Sequence, residues 1–352
     1  MDKETIIRQS FSSQAKFCAD LGSPFTANLL EGLGKNLDRS TKVGRTILNW
    51  NGQPDAFGDA IALRLAGALH GLVRSGQLKK LEKFYPPFPL TSSKKLAKAA
   101  MIAISEADDE ICQWLTYAPQ TNEVARSALL YLGMRVIAKK TALPLSIFEL
   151  GSSAGLNLML DKFHYRFAGQ EFGALDSKLT LAPKWSGKLP DGDNPHIINR
   201  RGCDLNPLDI ENPAHRLRLL SYIWPDQQER LDRAKAAIEI ALNEPPKLDK
   251  ADGADWVENV IDNNRENGVA RILFHSITYQ YFPKDIKARI VTHMEELGNK
   301  ASKQTPLAWL AFEQFEDQGA CLTLRLWQGN SNDGDLVLLA KAGAHVKEIN
   351  WL

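Results

Sequence analysis

The sequence predicts an α/β protein in two parts, an all-α region over residues 1–140 and a doubly wound, mostly parallel, Rossmann-like sheet over 141–352. Three observations lead to this fold class. Apolar residues recur at helical spacing in the first part, whereas short apolar runs alternate with helical segments in the second. Two further strands close the sequence and are joined by a turn rich in Gly, Asn and Asp, which indicates a terminal antiparallel hairpin.

Helical spacing is clear near the start of the chain, where Phe11, Ala15 and Cys18 recur on one face. Asn122 is expected to cap a further helix whose apolar face includes Leu129. We therefore expect a helical domain or cap ahead of the sheet.

Strands in the second part are recognised as short apolar runs that end at polar or glycine-rich turns. An inserted hairpin is expected at about 164–190. The expected strands of the main sheet lie at 145–150, 197–204, 271–275 and 307–312, followed by the hairpin 321–327 and 336–340 with its turn at 329–334.

Composition narrows the function classes. The formal net charge is +1, from 43 basic and 42 acidic residues, and no long run of one sign occurs, so no nucleic-acid footprint is present. The four cysteines are widely separated and the histidines show no ligand spacing, so no metal site is predicted. No signal peptide or membrane-length apolar run occurs, which makes the cytoplasm the default location. The oligomeric state is left open.

The stretch around Gly151 is the main functional signal. A buried strand ends at Glu149 and Leu150, and the pattern Glu149-x-Gly151-x-x-x-Gly155-x-Asn157 then leads towards a helix expected from Leu156. A strand, a glycine turn and a helix N-terminus form the unit that open α/β sheets use to hold a ligand.

The glycine spacing favours S-adenosylmethionine over a dinucleotide as the ligand of this loop. A pyrophosphate loop needs a middle glycine, and Ser153 stands at that position after Ser152. S-adenosylmethionine carries no phosphate, and its carboxylate could use the N-terminus of the following helix. The loop is therefore interpreted as the first motif of a class I methyltransferase.

The same residues also match a Gly-x-Ser-x-Gly nucleophile elbow, with Ser153 as the nucleophile of a serine hydrolase. Against this hypothesis, little before Leu145 is predicted as strand and no His-Gly-Gly oxyanion segment occurs upstream. The plainest alternative is a glycine turn that only joins a strand to a helix.

Acidic residues at later strand ends are candidate contacts to an adenosine. Asp204 ends a strand before Asn206 and could accept both ribose hydroxyls, although its separation from the glycine loop exceeds the usual ~20 residues. Asp176 is the alternative if the hairpin is not an insertion. Asp252, after a third strand, could accept from the adenine amino group or could simply cap a helix.

Catalytic candidates come from the loop after the strand 271–275. His275 and Tyr279 leave that strand where open sheets do chemistry, and either could orient or deprotonate an acceptor. A histidine at the end of a buried strand is also commonly a hydrogen-bonded structural residue.

Five motifs together resemble a bacterial domain-of-unknown-function family with a helical N-terminal region and a methyltransferase-type Rossmann core. They are the glycine loop, Gly202-Cys-Asp-Leu-Asn-Pro, Trp224-Pro-Asp-Gln, His275-Ser and Pro306-Leu-Ala-Trp. The resemblance covers nearly the whole chain, and no activity follows from it directly.

The methyltransferase-like core that the resemblance implies assigns roles to single residues. Gly151 and Gly155 would lie at the methionine end, and Glu149 would anchor the amino group or its water. Asp204 would hold the ribose and Asp252 the adenine. The expected function is methyl transfer to an unidentified small acceptor, with a Ser153 hydrolase and a non-catalytic ligand-binding scaffold as alternatives.

Overall fold

The computed structural model describes residues 2–315, 318–330 and 333–352. The chain forms two compact units. One extends up to Thr121 and also contains residues 212–232, and the other contains 122–211 and 233–352.

The first unit is built from helices around its own apolar core. Their ends are set by side-chain caps such as Ser23, whose hydroxyl accepts from the Thr26 N–H at the start of α2. The helices are α1 (Lys3–Asp20), α2 (Pro24–Asn36), α3 (Lys42–Leu48), α4 (Ile61–Arg74), α5 (Lys79–Glu82), α6 (Ser93–Glu106), α7 (Asp108–Leu115) and α9 (Pro213–Ser221).

The remaining helices are α8 (Ser127–Thr141), α10 (Gln228–Ala241), α11 (Gly253–Asn263) and α12 (Lys284–Gly298). Among the described residues, no helix combines the length and apolar character needed to cross a membrane.

The division between the units differs from the boundary at residue 140. Helix α8 belongs with the sheet, because Gly133 lets it approach a strand so closely that an added Cβ would lie 2.6 Å from the side chain of Leu310. Residues 212–232 instead join the helical unit. Within that unit, the Asp226 carboxylate accepts from the Phe25 N–H at 2.8 Å and from the Ser23 hydroxyl at 2.5 Å. Both differences arise from tertiary contacts between segments far apart in sequence.

The second unit contains a nine-stranded sheet and a separate three-stranded sheet. The strands of the large sheet, in spatial order, are β5 (Lys184–Ser186), β12 (Glu348–Trp351), β11 (Val337–Ala342), β10 (Ala320–Trp327), β9 (Leu307–Gln314), β8 (Ala270–Ser276), β1 (Leu145–Leu150), β6 (Ile197–Asp204) and β7 (Lys247–Lys250). The small sheet has the order β3 (Gln170–Gly173), β2 (His164–Phe167) and β4 (Thr180–Leu181).

The five strands β7, β6, β1, β8 and β9 are parallel, and they confirm the predicted doubly wound sheet. Across the sheet these five strands stand in the order β7, β6, β1, β8 and β9. Counted along the chain they are the third, second, first, fourth and fifth of the five, which is the order of a doubly wound nucleotide-binding sheet. All six residues of β1 are buried, as expected for a central strand with both faces covered. The strand order reverses between β1 and β8, so the crevice at their carboxyl ends is the place where such a sheet binds a ligand.

Antiparallel strands complete the large sheet. β9, β10, β11 and β12 pair consecutively, which confirms the predicted terminal hairpin of β10 and β11. Its predicted turn, 329–334, includes residues 331 and 332, which lie outside the described residues. The last two strands at this end of the sheet were not predicted: β12, and the edge strand β5, which pairs with β12 in parallel. β2 and β3 form an antiparallel hairpin within the segment expected to hold an insertion.

Candidate functional site

The glycine loop after β1 turns through three residues in the left-handed region, Gly151 (φ +64°), Ser153 (φ +54°) and Gly155 (φ +70°). It leads into a 3-10 helix, Leu156–Lys162, and not into the predicted α-helix. The expected helix N-terminus with outward N–H groups is therefore wrong.

Neighbouring groups explain this difference, because they already accept from the N–H groups of the loop. The Ser152 N–H donates to the Cys203 carbonyl, and the Ser153 N–H donates to Asp204 Oδ2, both at 2.9 Å. The Leu156 N–H donates to Asn122 Oδ1 at 2.9 Å. Asn122, predicted as the cap of α8, thus lies against the start of the 3-10 helix, and α8 itself begins at Ser127.

Asp204 stands where the ribose-binding acid was expected. It is the last residue of β6, the strand beside β1, and its Oδ1 accepts from the Asn206 N–H at 2.8 Å. Asp176, the alternative, lies between β3 and β4 of the small sheet. The structure therefore brings Asp204 to the glycine loop, whereas Asp176 lies in a connection between strands of the small sheet.

Gly151, Asp204 and Asp252 line one cleft with a volume of about 180 Å³ at the carboxyl ends of the parallel strands. Leu205 and Tyr281 also line it and keep 65% and 63% of their surface exposed. The cleft is smaller than the ~300–1,000 Å³ of typical small-molecule sites, so as it stands it could enclose only part of a nucleoside-sized ligand.

Asp252 caps a helix and also lines the cleft. Its Oδ1 caps α11, accepting from the Ala254 N–H at 2.9 Å and the Asp255 N–H at 3.3 Å. Capping was one of the two predicted roles, and the carboxylate still lines the cleft.

Glu149 is a buried acid beneath the loop, with 2% of its surface exposed. Burial raises the pKa of Glu149 well above its ordinary value and the Asp204 charge adds to this, while a hydrogen bond from the Asn157 side chain opposes it. The Asn157 amide is itself held by the Ser127 hydroxyl at 2.7 Å. Glu149 Oε2 and the buried Ser153 Oγ make no hydrogen bond with any described residue. Unpaired buried oxygens at a loop of this kind are costly, and they mark a place where a ligand or water could bind.

His275 ends β8 with both ring nitrogens engaged. Its Nδ1 lies 2.8 Å from Glu313 Oε1, and Trp309 Nε1–H donates to its Nε2 at 2.9 Å. Because Trp309 can only donate, Nε2 carries no proton and the ring is the neutral Nδ1–H tautomer. The geometry therefore favours the structural role that the sequence had left open.

Glu313 holds the loop after β8, and sequence reasoning missed it. Its Oε1 also accepts from the Thr278 N–H at 2.9 Å and the Tyr279 N–H at 3.0 Å. Burial acts to raise the pKa of Glu313, but the hydrogen bonds from His275 and the two backbone groups outweigh it and lower that pKa. Trp309 and Glu313 lie on the same face of β9, because side chains alternate between the two faces of a strand. The signal that could have identified Glu313 in the sequence was an acidic residue at the end of an otherwise apolar strand.

Tyr279 stacks on His275 with ring centroids 4.8 Å apart, and its hydroxyl donates to the Lys287 carbonyl at 3.1 Å. Burial, with a further contribution from the Glu313 charge, raises the pKa of Tyr279 to about 12. Ile277, just before this loop segment, has φ +48°, a conformation that β-branched residues rarely adopt. Strain of this kind persists where surrounding contacts impose it, and it clusters at functional sites.

These features define a doubly wound α/β protein with an acidic cleft at the carboxyl edge of its parallel strands. Residues 8–351 match the family model described as uncharacterized protein conserved in bacteria (DUF2332), and the chain belongs to that family. Comparison with curated proteins and with solved structures gives no significant match. No cluster of three or more potential metal ligands occurs among the described residues.

Proposed function

We propose that this protein is an S-adenosylmethionine-dependent methyltransferase that acts on a small acceptor. The observation that carries the proposal is the convergence of Gly151, Asp204 and Asp252 on one cleft at the ends of three adjacent strands. In a doubly wound sheet, ligands bind in the crevice at the carboxyl ends of these strands.

The charge of the cleft favours a ligand without phosphates. Two carboxylates, Asp204 and Asp252, line it, and no lysine or arginine is among its described lining residues. Such a surface repels a diphosphate but accepts hydrogen bonds from ribose hydroxyls and an adenine amino group. It also suits a ligand that carries a positive sulfonium.

The mouth of the cleft offers apolar surface for a flat base. Leu205 and Tyr281 are largely exposed, although large apolar side chains gain free energy when covered. An adenine ring placed between them would be covered by an aliphatic side chain and an aromatic ring.

Glu149 would serve the methionine end of the cofactor. Its unpartnered Oε2 could accept from the ligand's ammonium group or from a water that this group holds. A cation at that position would lower the pKa of Glu149 and so favour the carboxylate.

Methyl transfer is an in-line displacement, so most of the catalysis would come from aligning the acceptor with the sulfonium. In this proposal Glu313 acts as a positioning residue, because it fixes the backbone of Thr278 and Tyr279 beside the cleft. Neither His275 nor Tyr279 is among the described residues that line the cleft, so in this proposal their stacked rings would support the loop that carries Thr278 and would not touch the acceptor. His275 does not act as a general base while Trp309 occupies its Nε2.

The proposal is tested by isothermal titration of the protein with S-adenosylhomocysteine. Asp252→Asn removes one of the two carboxylates that line the cleft, while asparagine remains a good helix cap. We expect wild-type binding to weaken about tenfold or more in this variant, since a hydrogen bond to a charged group contributes roughly 1.5–3 kcal/mol. Asp255→Asn, on the same helix but outside the cleft, is the matched control. Absence of binding to the wild type would refute the proposal.

The hydrolase alternative is favoured by one observation, the left-handed φ of Ser153. Its hydroxyl oxygen, however, is buried and makes no hydrogen bond to a described base. A fluorophosphonate probe separates the two functions. Labelling of the wild type that is lost in Ser153→Ala would support a hydrolase, whereas the methyltransferase proposal expects no labelling and retained cofactor binding in Ser153→Ala. Binding without turnover on any acceptor would indicate a non-catalytic scaffold.

A further inference from the structure

The helical unit contains a groove between α5 and α6 that lies outside the cleft described above. Its volume is about 330 Å³, within the range of small-molecule sites. Leu81 and Ala103 are buried at the groove, and Ile102 keeps 47% of its surface exposed there. The groove between α5 and α6 is therefore a concave apolar surface open to solvent.

Lysines surround this groove. Lys80 is paired with Glu106 at 2.5 Å, while Lys95 and Lys98 make no ion pair with a described residue. All four side chains line the groove, so its surroundings carry a net charge of about +2. Their aliphatic stems add to the apolar surface, and their ammonium groups reach the water.

We propose that the groove between α5 and α6 binds the monomeric anion of a fatty acid. The alkyl chain would cover Phe84, Ala99 and Ile102, and the carboxylate would pair with the ammonium groups of Lys95 and Lys98. The apolar lining favours an alkyl chain over a peptide, because a peptide would bring backbone N–H and C=O groups that such a lining leaves unsatisfied. The two unpaired lysines require the head group to be an anion.

The inference is tested by calorimetric titration of the full-length protein with dodecanoate below its micelle concentration. We expect one saturable site in the wild type and much weaker binding of the uncharged methyl ester. The double variant Lys95→Glu/Lys98→Glu should weaken dodecanoate binding about tenfold or more, since two attractive contacts become repulsive. Lys79→Glu/Lys94→Glu makes the same charge change at one position of α5 and one of α6 that do not line the groove, and it should leave binding within about twofold.

A second variant, Ala99→Phe, fills the groove and should abolish binding, with circular dichroism as the check on folding. Equal affinity for the acid and the ester, or an equal effect of the two lysine pairs, would overturn the inference. So would binding to anionic phospholipid vesicles without binding to monomeric dodecanoate, which would indicate a membrane-surface contact instead.

Discussion

Gly151→Ala tests whether the glycine loop and the loop after β8 are packed as tightly as the structure shows. An added Cβ would lie 2.1 Å from Thr278 Oγ1 and 2.8 Å from both Thr278 Cβ and Cγ2. Alanine at φ +64° adds a left-handed backbone cost of about 1–2 kcal/mol. Overpacking adds about 1–3 kcal/mol, so the variant should lose roughly 2–5 kcal/mol of unfolding free energy.

The control is Gly169→Ala in the turn between β2 and β3, where φ is +77° and an added Cβ meets no atom within 4 Å. It carries only the backbone cost, so the difference between the two variants measures the clash with Thr278. Unfolding in urea is monitored through the hydrogen-exchange protection of the β1 amides. This readout is chosen because the chain forms two compact units and β1 reports on the unfolding of only one of them.

Thr278→Gly removes all three clashing atoms. In the double variant with Gly151→Ala, the part of the unfolding free energy lost to the clash should be recovered, whereas the part lost to the left-handed backbone should not. Equal losses in Gly151→Ala and Gly169→Ala would refute the reasoning. A double-mutant cycle with no coupling between Gly151 and Thr278 would refute it equally.

Two further predictions concern the buried carboxyl group of Glu149 and the partly buried one of Glu313. Burial raises the pKa of Glu149 above its ordinary 4.5, so the unfolding free energy of the wild type should fall relative to that of Glu149→Gln as pH rises above about 4.5. The two proteins should be most alike in acid. Urea titrations of both proteins across pH would show this divergence, and a constant difference in unfolding free energy at every pH would contradict it. Glu313→Ala leaves His275 Nδ1–H and the N–H groups of Thr278 and Tyr279 without their acceptor. The variant should therefore lose about 3–5 kcal/mol of unfolding free energy, and the amides of this loop should lose protection from hydrogen exchange. Glu313→Gln keeps an acceptor oxygen and should lose clearly less; equal losses would show that these bonds do not hold the loop.

The sequence by itself determined the strands of the parallel sheet and which edge carries their carboxyl ends. Alternating apolar runs and helices predicted the strands 145–150, 271–275 and 307–312, because periodicity and turn residues are local properties of the chain. The position of Asp204 at the end of a strand was enough to predict that it lies at this edge, since parallel strands bring their carboxyl ends to one edge.

Only the tertiary structure decided which polar groups meet at that edge. Glu313 follows His275 by 38 residues, and nothing local in the sequence shows that its Oε1 lies against the histidine ring. The same holds for Asn122 and Asp204, which accept from the glycine loop and take the N–H groups that a ligand-binding helix would have offered. Hydrogen-bond partners are set by the pairing and register of distant strands, whereas strand and helix formation follows from the spacing of residues along the chain.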